Sequence, residues 1–289
     1  MGLKDAAQGR TEEHIDRLVT EKMRREGLPE QVIEQFRGYY RTLLDSSGSD
    51  CTVPDEDITP LGEEDVPGQE DLTGEHERVG RNHLRRTVMI KVNGGLGTSM
   101  GMPHAKSLLS ARPGYTFLDI IRFQARSRDI PLLLMDSFHT QRDVADYWER
   151  QGLPPEERPR SFVQHKFPKL LENLEPATCP ESPDLEWNPP GHGDVFAALE
   201  TSGCLDELLE QGKRYAFISN ADNLGAAVDP AILGYMVQEG RFFLMEVAPR
   251  YPRDKKGGHL ALSRDGRFLL REIAQCPEED MDKFQDIQR

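Results

Sequence analysis

The sequence lacks the marks of several protein classes. Its four cysteines, Cys51, Cys179, Cys204 and Cys276, are scattered with no Cys-x-x-Cys pair. Neither a zinc knuckle nor a disulfide framework follows from that spacing, and free thiols in a reducing compartment are expected. No apolar run approaches the roughly 20 residues needed to span a bilayer. Residues 1–10 are polar and without the apolar core of a secretory signal, so no membrane association is expected and the cytoplasm is the expected compartment. Positive charge is scarce: 36 Lys and Arg stand against 50 Asp and Glu, a formal net charge of −14. So acidic a chain repels phosphate backbones at long range, and no nucleic acid partner is expected. A phosphate-bearing ligand needs a local site rich in N–H groups or cations.

What is present suffices for a packed core. The 289 residues, 37% of them hydrophobic, match one large domain or two modest ones at roughly 100–200 residues per domain. Two zones are expected, residues 1–85 and 86–289. In the first, Ile15, Leu18 and Val19 share a helical face. A second helix follows with Pro29 in its first turn and Val32, Ile33, Phe36, Tyr39, Tyr40 and Leu43 at helical spacing. Residues 45–77 are rich in Ser, Gly, Pro, Asp and Glu and read as an acidic linker on the surface.

From Thr87 the pattern alternates. Strands are predicted over 87–92, 131–135, 215–219 and 242–247, and helices over 117–128, 140–151 (with Thr140 as N-cap), 195–210 and 229–238. A hairpin of residues 259–263 and 267–274 is predicted around Asp265–Gly266. Continuous apolar strands alternating with helices indicate an α/β fold, a mostly parallel sheet with helices on both faces.

Three stretches carry chemistry. Residues 92–109, VNGGLGTSMGMPHAKSLL, follow a strand. Gly94, Gly95, Gly97 and Gly101 let backbone N–H groups approach an anion, and Lys106 supplies a cation. The order of residues fits neither the Walker A loop nor the dinucleotide turn. Residues 187–194, WNPPGHGD, place His192 between Gly191 and Gly193 ahead of a helix; an ordinary loop is the alternative. Residues 217–225, FISNADNLG, bring Asn220 and Asp222 to a strand's carboxyl end, where α/β sheets bind ligands. Asp222 is suited to Mg²⁺, a hard cation that takes few protein oxygens; a turn-capping role is the alternative.

In order, NGGLGTSMG, AKSLL, FVQHKFPKL, NPPGHGD, SNADNLGA, KKGGHLAL and LLREIAQCP resemble the motifs of the eukaryotic-type UTP–glucose-1-phosphate uridylyltransferases, or UDP-glucose pyrophosphorylases. The resemblance covers residues 87–289, with a vaguer match at ITPL in the acidic segment. It implies a Rossmann-like nucleotide-diphospho-sugar transferase core behind an N-terminal helical segment. It also implies a reaction of UTP with glucose 1-phosphate that gives UDP-glucose and pyrophosphate with Mg²⁺. Residue by residue, Leu96, Gly97 and Lys106 would face the nucleotide and its phosphates, and Gln164 would read uracil with its amide. Gly191 and His192 would face the nucleotide and the sugar phosphate, Asn220 would bond sugar hydroxyls, and Asp222 would hold Mg²⁺. Lys256, Gly257 and Glu272 would lie on the sugar side.

Two departures bear on this. Ala105 stands where the family often has Pro before the lysine. The family pattern also runs on past the point matched by Arg289, through a second phosphate-binding lysine and a C-terminal β-helix, so an incomplete core is expected. A nucleotide-binding module without turnover, and a pyrophosphorylase for N-acetylhexosamine or other UDP-sugars, stay open as alternatives. The oligomeric state is not legible in the sequence.

Overall fold

The computed structural model describes residues 12–45, 52–62, 65–97, 104–254 and 257–286. The first part of the chain forms α1 (Glu12–Arg25), α2 (Glu30–Asp45), β1 (Ile58–Pro60) and α3 (Gly74–His83), then β2 (Thr87–Asn93), β3 (Ser110–Arg112), β4 (Tyr115–Thr116) and α4 (Phe117–Ser127). Next come β5 (Leu132–Asp136), α5 (Gln141–Arg150), β6 (Arg160–Val163), β7 (Phe167–Pro168), β8 (Trp187–Asn188), α6 (Val195–Thr201) and α7 (Cys204–Glu210). The last are β9 (Tyr215–Asn220), α8 (Pro230–Gln238), β10 (His259–Ser263), β11 (Phe268–Arg271) and α9 (Met281–Gln285).

The main sheet is parallel throughout, in the order β6-β5-β2-β9. Every residue of β2 (TVMIKVN) and β5 (LLLMD) is buried, as central strands covered on both faces require. One face packs Met89, Leu132 and Leu134 against Leu118 and Ile121 of α4 and Val144 and Trp148 of α5. The other packs Val88, Ile90, Leu133 and Met135 against Val195, Ala198 and Leu199 of α6 and Leu208 of α7. A third core sets Val19, Met23, Val32, Ile33, Phe36, Tyr40 and Leu44 of α1 and α2 on Leu174 and Trp187. The α2 stripe thus runs through Tyr40 and Leu44, leaving the predicted Tyr39 and Leu43 exposed.

Helices α3 and α8 cross with almost no gap. A Cβ added at Gly80 would lie 1.7 Å from the Pro230 carbonyl oxygen, and one at Gly234 would lie 1.7 Å from that of His76. Only glycine at both positions lets the two backbones touch. α3 leads into β2 through a single 3-10 turn, Leu84–Arg86, and α8 follows the loop after β9.

Four expectations need correction. The helix predicted over 195–210 is two helices, α6 and α7, broken where Gly203 takes φ +74°. Residues 242–247 form no strand: Phe242, Phe243, Met245 and Val247 are exposed. Their apolar run resembles a buried strand, but a strand holds only where its backbone polar groups find a ladder, and among the described residues none is offered to them. Part of the acidic segment is sheet, since β1 pairs antiparallel with β10 in the order β1-β10-β11. Buried Arg271 on β11, 3.5 Å from Asp55 and 3.6 Å from Asp280, gives those carboxylates a reason to be there. Finally, the Thr140 hydroxyl does not cap α5 but donates to the Asn93 carbonyl at 2.9 Å, tying α5 to the end of β2. The predicted hairpin forms, with Gly266 at φ +77° in its turn.

Candidate active site

The four parallel strands end together. β2 closes on Asn93, β5 on Asp136, β6 on Val163 with Gln164 next, and β9 on Asn220. Ligands of open α/β sheets bind outside such carboxyl ends. The Asn93 amide donates to Asp136 Oδ1 at 2.7 Å. Burial pushes the Asp136 carboxyl up to about 6, against the opposing pull of that hydrogen bond. Lys91 is fully buried. Its ammonium donates to Ser219 Oγ and to the Ala226 carbonyl, both at 2.7 Å, which pins the loop after β9 to β2. Burial lowers this lysine to about 8.

The glycine loop begins and ends as a small ladder. Gly97 N donates to the His104 carbonyl at 2.9 Å and Lys106 N to the Gly95 carbonyl at 3.0 Å, around an antiparallel bridge between Leu96 and Ala105. That pattern turns the Leu96 N–H outward, away from the ladder. The Gly97 N–H is engaged by the His104 carbonyl within this ladder. Ala105 is fully buried, and its N–H donates to Asp143 Oδ2 at 3.0 Å. Gly101, one of the predicted loop glycines, lies outside the described residues.

Gln164 is packed against this loop. It is 5% exposed, and its N–H donates to the Asp136 carbonyl at 2.8 Å. A Cβ added at Gly94 would lie 2.5 Å from Gln164 Oε1 and 3.3 Å from Ser137 Cβ. Position 94 therefore accepts only glycine while the amide keeps its place. Ser137 adds a hydrogen bond from its hydroxyl to the Gly94 carbonyl at 2.9 Å.

Across the strand ends, Lys106 Nζ stands 3.6 Å from Asp222 Oδ2, with the two side chains 34% and 46% exposed. A lysine and a carboxylate both this open to solvent remain available to a ligand. Asp222 does not cap the turn that follows; Asn223 does, its Oδ1 accepting from the N–H groups of Gly225 and Ala226. Asn220 is exposed at the end of β9. Gly191 takes φ +103° with ψ 179°, a conformation open essentially to glycine alone. It delivers exposed His192 on a 3-10 turn whose last residue, Asp194, is buried. Among the described residues no group of three or more His, Cys, Asp and Glu is placed to hold a metal ion.

Sequence reasoning thus located Gln164, Leu96, Lys106 and Asp222 at one end of one sheet. Gly257 precedes β10 and Glu272 follows β11 at the edge of the separate antiparallel sheet, where the Glu272 carboxylate lies against Gly258; Lys256 falls outside the described residues. The supporting residues Lys91, Asn93, Asp136, Asp143, His165 and Asp194 were missed. Lys91 had a signal, a lysine inside an otherwise apolar strand, and Asp136 had another, its place at a strand's carboxyl end.

A sequence model of the family described as UTP–glucose-1-phosphate uridylyltransferase matches residues 33–289. Among curated relatives, the UTP–glucose-1-phosphate uridylyltransferase of Saccharomyces cerevisiae is 38% identical over 268 residues, covering 90% of this chain and 53% of that protein. The one from Hordeum vulgare is 42% identical over 214 residues, covering 71% of this chain and 45% of its own. A mutant UDP-glucose pyrophosphorylase from Leishmania major, solved in complex with UDP-glucose, superposes with a TM-score of 0.83 at 38% identity over 95% of this chain and 60% of that one. The chain spans about half the length of the curated relatives it matches. Among the described residues no helix is long and apolar enough to cross a membrane.

Proposed function

Because the chain belongs to the UTP–glucose-1-phosphate uridylyltransferase family, we propose that it carries the nucleotide site of an enzyme that converts UTP and glucose 1-phosphate to UDP-glucose and pyrophosphate. On this reading the parallel sheet is a Rossmann-like nucleotidyltransferase core working in the cytoplasm. The observation that carries the reading is the pair Lys106 and Asp222, 3.6 Å apart and open to solvent across the ends of β2 and β9, with the Gln164 amide packed on the glycine loop beside them.

The chemistry asks little of the protein beyond placement. The sugar phosphate is already an anionic nucleophile, so no general base is required. What remains is to align it in line with the α-phosphorus and to offset charge on the departing pyrophosphate. Lys106 faces the triphosphate and offsets that charge as the bond to pyrophosphate breaks. The Leu96 N–H, turned out of its ladder, is a second donor toward the nucleotide. The Gln164 amide presents both a donor and an acceptor and so matches a uracil edge. His192, Gly191 and Asn220 are assigned to the sugar phosphate; Gly257 and Glu272, beside the antiparallel sheet, and Lys256 are assigned to the sugar through the family's motifs.

The residues fit Mg²⁺. This ion keeps most of its ligands from water and phosphate and takes one or two carboxylates from protein, so a single exposed Asp222 next to a phosphate-facing lysine is sufficient. Bound there, Mg²⁺ would screen the phosphate oxygens.

A pyrophosphate-release assay with UTP, Mg²⁺ and glucose 1-phosphate tests the reading, run beside a calorimetric titration of UTP. Asp222→Ala should lower turnover by about 100-fold or more, the scale seen when one charge-stabilising group is removed. Turnover unchanged in that variant would remove Asp222 from the mechanism, and a chain that binds no UTP would overturn the proposal.

A further inference from the structure

Directly after Gln164 comes His165, a buried residue with both ring nitrogens engaged. Its Nδ1 lies 3.0 Å from Asp194 Oδ1, and its backbone N–H donates to Asp194 Oδ2 at 2.7 Å. Its Nε2 lies 2.9 Å from the Thr201 hydroxyl, which itself donates to the Ala197 carbonyl one helical turn back. The Asp194 side chain is wholly shielded from solvent. A carboxylate so placed needs full hydrogen bonding to be tolerated, and here it receives two hydrogen bonds from a single residue.

The connectivity is what gives this cluster a role. Gln164 and His165 follow β6. Asp194 closes the turn that carries Gly191 and His192, and Thr201 ends α6, which that turn begins. One imidazole therefore joins the end of β6 to both ends of the turn-and-helix segment 191–201. The first bears the base-reading amide; the second bears the exposed histidine of the sugar-phosphate side on its turn and packs on the sheet through its helix. Gln164 has few other restraints. Its backbone N–H bonds the Asp136 carbonyl, and its amide rests on Gly94.

We propose that His165 and Asp194 form a positioning pair that fixes the Gln164 amide relative to the Gly191–His192 turn, and so sets the selectivity of the site for uracil over other pyrimidines. The inference rests on the uridylyltransferase reading above. Neither residue touches substrate. Uracil offers a donor at N3 and an acceptor at O4, and cytosine reverses both, so an amide held in one orientation discriminates, and an amide free to rotate pairs with either.

The experiment is calorimetric titration of the full chain with UTP and with CTP, for wild type and the variants Asp194→Asn, Thr201→Val and Thr201→Ser, with thermal melting of each as a control for folding. Wild type is expected to prefer UTP. Asp194→Asn should cut the UTP-to-CTP affinity ratio about tenfold, the effect of losing one strong hydrogen bond. Thr201→Val, which preserves shape and removes the hydroxyl, should lower the ratio in the same direction, and Thr201→Ser should restore it. A purely structural cluster would instead lower the melting temperature and leave the ratio untouched. An unchanged ratio in folded Asp194→Asn and Thr201→Val would overturn the positioning role while leaving the uridylyltransferase reading intact. A wild-type chain that binds neither nucleotide would sink both.

Discussion

Replacing Gly94 by Ala puts a methyl group where the Gln164 amide now rests. The added carbon would lie 2.5 Å from Gln164 Oε1, against an ordinary contact distance of 3.4 Å, so the amide has to retreat by about 0.9 Å. The methyl has little room to yield, because Ser137 Cβ stands only 3.3 Å from it and the adjoining strand is buried along its length. A retreat of that size stretches a ~2.9 Å hydrogen bond beyond the range in which it counts as one. With two such bonds to the base, at ~0.5–1.5 kcal/mol net each, the loss is about 1–3 kcal/mol, or roughly 5- to 150-fold in UTP affinity. Calorimetric titration of Gly94→Ala, Gln164→Ala and the double variant measures this as a double-mutant cycle. Gln164→Ala should show a loss of the same size, and in that background Gly94→Ala should be close to neutral, since nothing is left to collide with. Strictly additive losses, or full UTP affinity in Gly94→Ala alone, would refute the placement of the amide over the glycine.

Two further outcomes are expected. Gly80→Ala sets a Cβ 1.7 Å from the Pro230 carbonyl oxygen and should cost about 3 kcal/mol or more, the upper end for overpacking, because backbone and not a side chain is in the way; urea denaturation reads the loss, and UTP affinity of the folded fraction should be unchanged. Asp136→Asn should alter the dependence of stability on pH. The carboxyl is held at about 6 in the folded chain against an ordinary 3.8, so its contribution is full below pH ~4 and is lost as pH rises through 6. Relative to wild type, the amide variant should therefore gain up to about 3 kcal/mol between pH 4 and pH 7, since each pH unit separating the folded and unfolded values is worth about 1.36 kcal/mol. Chemical denaturation at the two pH values measures this; a constant difference would show that Asp136 ionises normally.

Periodicity and punctuation located most of the core because the determining interactions were local or uniformly apolar. β5 is legible as an apolar run and β2 as one interrupted only by Lys91, α8 begins at Pro230 with Asp229 capping it at the residue in front, and the hairpin turn is written in Asp265–Gly266. The failures share a different cause. Residues 242–247 are as apolar as β5, yet strand formation depends on an available neighbour, which no local pattern records. The break at Gly203 sits inside an otherwise helical pattern, where a single glycine is compatible with either outcome until its φ is known. In the site, Lys106, Gln164 and Asp222 were found through motifs. Asp136, Asp194 and His165 act through burial and partners distant in sequence, such as the 29 positions between His165 and Asp194, and that geometry exists only once the strands are side by side.

The backbone contact of α3 with α8 also constrains how the site can move. α3 runs into β2, which leads to the glycine loop and Lys106; α8 runs back through the loop bearing Asp222 to β9; and β2 and β9 are hydrogen-bonded neighbours. Helix, strand, strand and helix make a closed frame, welded at Gly80 and Gly234 and cross-braced by Lys91. The backbone that carries Asp222 is thereby held against β2 like one jaw of a gauge, and Lys106 faces it at 3.6 Å. The opposite wall has a brace of its own: Gln164 and His192 are carried on turns that a single imidazole joins.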